Sequence, residues 1–303
     1  MKQSTKGILY IVLSSISFGI IPILAKLSYS QGGNPFNVLF LRFMSAAIMI
    51  FLYLKIKGIS LKIEKKQFVL LMIFGILGYS GTALCLFLSY NYIAAGLATM
   101  ILYLYPSIVT ILSFIIYGEK FYRKKIVSLI VSLLGVYLLI GFTGGSLINI
   151  QGLILALLAS LFYSIYVLGL SNKEISSVNS FVITYYVSLA SSITMLLAGS
   201  INKSISFNIS LYGFLCIILL AFISTVIALI TFVQGVKIIG PSNASIFSNL
   251  EPIVSMVLSY LIFRDKITPN TILGSFFIML SILILSVDKK QILKLLSKKD
   301  NAV

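Results

Sequence analysis

The chain has 303 residues, 59% of them hydrophobic, and a mean hydropathy of +1.09, which is more apolar surface than a soluble domain can bury, so lipid must act as its solvent. A formal charge of +16, from 23 Lys and Arg against 7 Asp and Glu with no His, would suggest nucleic acid as the partner of a soluble protein. Here the basic residues stand almost entirely between apolar runs, where they set topology and imply no nucleic-acid partner.

A crossing takes about 20 apolar residues, and the pattern predicts ten spans, at 7–27, 36–55, 67–89, 96–117, 125–141, 151–170, 179–199, 210–234, 242–263 and 269–287. The first apolar run follows Lys2 and Lys6 like a signal peptide. It is too long for one, shows no convincing cleavage site and precedes many more spans, so it reads as the first helix. With the N-terminus inside, 18 of the 23 basic residues fall in cytoplasmic segments, and Lys26, Arg42, Lys203, Arg264 and Lys266 lie on the other side. Both termini are therefore expected in the cytoplasm, in a plasma (cell inner) membrane. With Trp absent and 17 Tyr present, tyrosine must supply the interfacial belt. Cys85 and Cys216 fall inside apolar runs and read as small packing residues. The basic run 289–303 reads as a solvated cytoplasmic tail.

An internal repeat organises the chain. A shift of 146 positions lays Ala98, Leu104, Pro106, Leu112, Ser113, Ile116 and Lys120 on Ala244, Leu250, Pro252, Leu258, Ser259, Ile262 and Lys266, with Glu119 on Asp265. Residues 1–145 and 146–288 then form two five-span halves, and an odd number of spans gives the second half the opposite polarity. The expected fold class is an all-α integral membrane protein of ten transmembrane helices, arranged as two inverted five-helix repeats around a central cavity.

Two segments carry a resemblance: LYPSIVTILSFIIYGEKF at 104–121 and LEPIVSMVLSYLIFRDKI at 250–267. They resemble the paired signatures of the drug/metabolite transporter superfamily, EamA type, a Leu-x-Pro, an apolar run, then Gly-Glu and a base. The chain keeps Gly118-Glu119-Lys120 in the first half and departs to Arg264-Asp265-Lys266 in the second. The resemblance extends over the whole chain and identifies the family better than the substrate. It implies a cavity between the halves that opens alternately to each side, lined mainly by the first, third and fourth spans and their mates, the sixth, eighth and ninth.

Polar residues inside spans should gather where a cavity exists, since facing lipid is costly. Thr99, Tyr103, Ser107, Thr110 and Tyr117 recur at helical spacing on the fourth span. Ser248, Glu251 and Ser255 share a face of the ninth, with Ser245, Asn249 and Ser259 beside it. The first span adds Tyr10, Ser14, Ser17 and Phe18, and the sixth adds Ser160, Tyr163 and Ser164. Small hydroxylated residues also simply pack helices and return their hydroxyls to backbone carbonyls, so the stripes leave two readings open. Glu251 is the sharpest residue: the only carboxyl at mid-span, where a charge costs about 3 kcal/mol unless paired, protonated or wet. It suits proton coupling or an ammonium group, and equally a structural carboxyl that stays protonated.

The candidate substrate-binding set is thus Glu251, Asn249, Ser248, Tyr103, Ser107, Tyr79, Phe18, Ser17, Tyr163 and Ser164. Pro106 and Pro252 should bend their helices, freeing the carbonyls of Leu102 and Ser248. Gly75, Gly78 and Gly81 give the third span a smooth packing face. Lys26 and Arg42 fall in the outer third; Arg42 is within snorkelling reach of the surface, as an anchor or an anion site at the outer mouth.

These features predict a secondary transporter, an exporter of a small amphipathic metabolite such as an amino acid or amine. The alternatives are an uptake carrier for an amine or quaternary ammonium compound and, far behind, an intramembrane enzyme. Zero His removes imidazole base chemistry and the usual zinc sites. No nucleotide motif is present, so coupling falls to an ion such as the proton, to exchange or to the substrate's own gradient. No cofactor or metal is expected. The expected partners are the substrate and membrane lipid, with a monomer as the expected unit and a dimer left open.

Overall fold

The computed structural model describes residues 3–93, 95–118, 122–140, 149–206, 208–263 and 269–286, and among these all regular structure is helical. In chain order the helices are α1 (Gln3–Phe18), α2 (Ile21–Tyr29), α3 (Pro35–Ile56), α4 (Lys65–Ile73), α5 (Gly81–Ser89), α6 (Ala95–Leu102), α7 (Tyr105–Tyr117), α8 (Arg123–Ile140), α9 (Ile150–Gly169), α10 (Lys173–Ser176), α11 (Ser180–Ile201), α12 (Leu211–Ala221), α13 (Ala228–Ile239), α14 (Pro241–Phe247), α15 (Leu250–Phe263) and α16 (Pro269–Ser286). Two π-helical segments, Phe74–Ser80 and Phe222–Ile227, join α4 to α5 and α12 to α13 into continuous rods. Every expected span coincides with a helix or a broken helix. Seven rods among the described residues are long and apolar enough to cross a membrane, and 105–117 and 272–281 are shorter apolar helices.

Side-chain caps define the ends. Asn34 accepts from the Phe36 and Asn37 amides and Pro35 opens α3, while Asn149, Asn179 and Ser210 cap α9, α11 and α12; each satisfies donors that a helix leaves orphaned. Gly118, at φ +62°, ends α7 in the left-handed conformation open to glycine.

Three rods are broken. α1 and α2 part at Gly19–Ile20, α6 and α7 at Tyr103–Leu104, and α14 and α15 at Ser248–Asn249. Pro22, Pro106 and Pro252 each lie in the first turn after a break, where a missing N–H costs little. The prolines thus mark interruptions rather than bends in continuous helices. The Ser248 carbonyl, expected to be freed, accepts instead from the Glu251 amide at 3.0 Å.

The loops sort to two ends. At one, Lys66 pairs with Glu174 at 2.7 Å, Tyr186 donates to the Leu61 carbonyl, and Lys237 donates to the Val178 carbonyl. At the other, Asn34 donates to the Ser204 carbonyl and Asn37 to that of Ser206, and the Ser210 amide donates to the Gln31 carbonyl. α3 and α11 consequently run antiparallel, and they pack along each other, as do α8 with α16, α1 with α13 and α5 with α9. The third rod's glycines serve this packing: a Cβ on Gly75 would meet Ala190 at 2.9 Å, and one on Gly78 would meet Tyr166 at 2.8 Å. Cys85 and Cys216 are free thiols, half-buried and buried.

The Glu119–Lys120 and Arg264–Asp265–Lys266 positions and the basic tail lie outside the described residues.

Candidate functional site

A cavity of about 60 Å³ lies among the rods, lined by Phe18, Ile21, Arg42, Tyr79, Thr82, Ala83, Leu86, Phe87, Leu102, Tyr103, Tyr105, Tyr163 and Glu251. Each of the three breaks delivers residues to it: Phe18 and Ile21 flank the first, Leu102, Tyr103 and Tyr105 surround the second, and Glu251 follows the third. The breaks also touch one another, since a Cβ on Gly19 would lie 2.7 Å from Val254 and 3.2 Å from the Glu251 carbonyl oxygen. Interrupted helices at mid-depth are where backbone and side-chain polarity can be offered to a ligand inside a bilayer.

Six of the thirteen lining residues are aromatic, and further rings pack behind them. Tyr105 and Tyr163 meet edge to face at 4.6 Å, Tyr163 stacks on Phe232 at 6.0 Å, and Phe18 meets Phe232 at 6.3 Å. Tyr79 packs on Phe43 and Tyr166 at 5.4 and 5.3 Å. Such rings give an apolar surface whose faces also suit a cation.

One basic and one acidic side chain enter this wall. Arg42, in the middle of α3, is 2% exposed. Its Nε donates to Thr225 Oγ1 at 2.8 Å, and its Nη2 donates to the Ser224 carbonyl at 2.9 Å and to the Tyr79 hydroxyl at 3.4 Å. It is not a surface anchor, and Lys26, exposed on α2, does not line the cavity with it. Depth along a helix suggested snorkelling; the π segments of two other rods take the guanidinium inward instead. Glu251, in the first turn of α15, is partly buried and lines the same cavity. The two form no ion pair, and Lys66–Glu174 is the only ion pair among the described residues. Beside the Glu251 carboxyl lies the buried Tyr103 hydroxyl, near enough to interact with it though not in regular hydrogen-bond geometry.

Of the expected site residues, Glu251, Tyr103, Tyr79, Phe18 and Tyr163 come together at the cavity, joined by Arg42. Asn249, Ser248, Ser107, Ser17 and Ser164 do not line it. Ser17 returns its hydroxyl to the Leu13 carbonyl, Ser164 to those of Ser160 and Tyr105, and Ser248 to that of Ala244. Asn249 donates to Ser132 Oγ on α8 at 2.6 Å. A buried serine is most cheaply satisfied by the carbonyl four residues back, so hydroxyl stripes mark helix packing as readily as a pathway. Sequence reasoning missed Tyr105, Thr82, Leu86 and Phe87. Tyr105 carried a signal, because the 146-residue shift lays it on Glu251; the residues of α5 carried none.

The family described as the EamA-like transporter family matches residues 5–141 and 150–287, one match per half. The chain is 27% identical over 300 residues to an uncharacterized transporter of Clostridium kluyveri, covering 94% of each chain. It is 27% identical over 248 residues to the uncharacterized transporter YyaM of Bacillus subtilis, covering 79% of this chain and 80% of that one. With the uncharacterized inner membrane transporter YicL of Salmonella typhimurium it shares 22% identity over 296 residues, covering 96% and 98%. A crystal structure of another protein superposes with a TM-score of 0.80 at 16% identity, covering 93% of this chain and 96% of that one, a likeness of fold alone.

Proposed function

The chain belongs to the EamA-like transporter family, and from that premise we propose that it is a secondary transporter that exports a small amphipathic metabolite, such as an amino acid or amine, by alternating access. The observation that carries the reading is the meeting of Glu251, Arg42 and a tyrosine-rich wall at three helix breaks. Rings hold the apolar part of the substrate, and Glu251 holds its ammonium group or carries a coupling proton.

Ten crossings in two inverted halves fit this mechanism. In support, the repeat pairs the break at Tyr103–Leu104 with that at Ser248–Asn249, and the π segment at Phe74–Ser80 with that at Phe222–Ile227. It also pairs α3 with α11, which run antiparallel, as a half-turn about an axis in the membrane plane requires. Both termini and the Lys55–Lys66 loop then face the cytoplasm. The cavity has room for a few waters but not for a benzene-sized group, which takes about 150 Å³, so substrate entry must widen it. The breaks are the places where rods can shift without losing helix hydrogen bonds.

The test is a metabolite-library thermal-shift screen on purified protein, followed by flux of each hit in liposomes with the protein in known orientation. Counterflow of a hit, faster than in empty liposomes and dependent on protein, is the expected result. Binding without flux would overturn the reading, and inward flux only would replace export with uptake.

A further inference from the structure

We propose that Arg42 is the receptor for an anionic group on the substrate, so that the cavity selects a zwitterion, its cationic group at Glu251, over a simple amine. This rests on the transporter reading above and narrows it.

A guanidinium buried in a bilayer-spanning bundle is costly unless a counter-ion meets it, yet every described partner of Arg42 is neutral: a threonine hydroxyl, a backbone carbonyl, a tyrosine hydroxyl at 3.4 Å and the face of the Phe43 ring at 5.2 Å. Its Nη1 donates to no group among the described residues. The nearest carboxyl in the same cavity, Glu251, forms no ion pair with it. A guanidinium and a carboxyl thus line one small cavity without pairing, and a bound ligand carrying both complementary groups would engage both.

The three bonds also orient the fork. Thr225 and Ser224 belong to the π segment of the eighth span and Tyr79 to that of the third, and the 146-residue shift lays Tyr79 on Thr225. Arg42 is thus fixed between equivalent places in the two halves, its remaining donors suited to a planar carboxylate. The buried Tyr103 hydroxyl lies beside the Glu251 carboxyl in the same cavity. A lone amine entering this space would meet the positive charge of Arg42, and a lone acid would meet Glu251. Each mismatch rejects a wrong ligand by repulsion in low dielectric.

The experiment uses the full chain in nanodiscs and a panel of the common amino acids, each beside its amide and its decarboxylated amine, with thermal shift as the readout and liposome flux for hits. In wild type the amino acids should bind about tenfold or more tighter than their amides and amines, the effect of one charge-assisted interaction. Arg42→Gln should level amino acid and amide, and Arg42→Lys should retain part of the preference. Should Arg42→Gln fail to fold, the wild-type comparison and Arg42→Lys still decide. An amide or amine that binds as tightly as its parent amino acid and is carried by the protein would overturn the role of Arg42 while leaving the transporter reading standing. No binding and no flux across the panel would overturn the zwitterion proposal, while flux of other metabolites in the library screen would keep the transporter reading.

Discussion

The broken helices α6–α7 and α14–α15 share a backbone device and differ in what they carry. α6 and α7 part at Tyr103–Leu104, α14 and α15 at Ser248–Asn249, and the repeat sets Tyr103 against Asn249 and Tyr105 against Glu251. In the first half both positions are tyrosines that build the wall. In the second, one is the cavity's carboxyl and the other an amide turned toward Ser132. The charges divide the same way: Arg42 comes from the first half, and its counterpart Ser188 is a buried, unpartnered hydroxyl. Backbone geometry follows the repeat because proline and helix-terminus placement repeat. Side-chain chemistry does not, so each half supplies one charge, and a ligand touching both would tie the halves together.

The largest expected effect breaks the matched π segments apart. Gly78 and Ser224 correspond, but Gly78 lies against the Tyr166 backbone, where a Cβ would approach Cα at 3.1 Å. Gly78→Leu should cost about 3 kcal/mol or more through overpacking, read as a large fall in Tm or loss of monodisperse protein. Ser224 instead donates to the Ser17 carbonyl at 2.8 Å. Ser224→Ala should cost about 1–2 kcal/mol, a smaller fall in Tm on the same assay. Equal effects would show that the segments are more alike than their packing implies. Smaller still are Pro106→Ala and Pro252→Ala: both prolines stand in a first turn, so each should change stability by about 1 kcal/mol or less, and a large loss for either would mark that break as strained. Lys66→Ala should leave Tm unchanged, because its pair with Glu174 is exposed.

Much of the architecture was legible in the sequence. Apolar runs between lysines located each rod, Pro106 and Pro252 located two breaks, and the position of Glu251 in its run marked the cavity. Other features had no signal along the chain. Arg42 looked like a surface residue because its partners, Thr225 and Ser224, lie more than 180 positions away and become neighbours only when α3 packs beside the eighth span. The π segments leave hydropathy unchanged. The serine stripes misdirected, since Ser17 and Ser248 satisfy their hydroxyls within their own helices.

On the proposed function the second half's carboxyl works in transport, while its first-half counterpart only shapes the wall. The most direct measurement is flux of the identified substrate in liposomes at several pH values, for wild type, Glu251→Gln and Tyr105→Phe at matched protein density. Glu251→Gln keeps size and hydrogen-bonding capacity but cannot titrate. Its flux should fall about tenfold or more and lose the pH dependence of wild type, while Tyr105→Phe should retain both rate and pH profile within about threefold. Equal rates and equal pH profiles for wild type and Glu251→Gln would contradict the claim, making Glu251 a neutral hydrogen-bond donor and leaving recognition to the rings and Arg42.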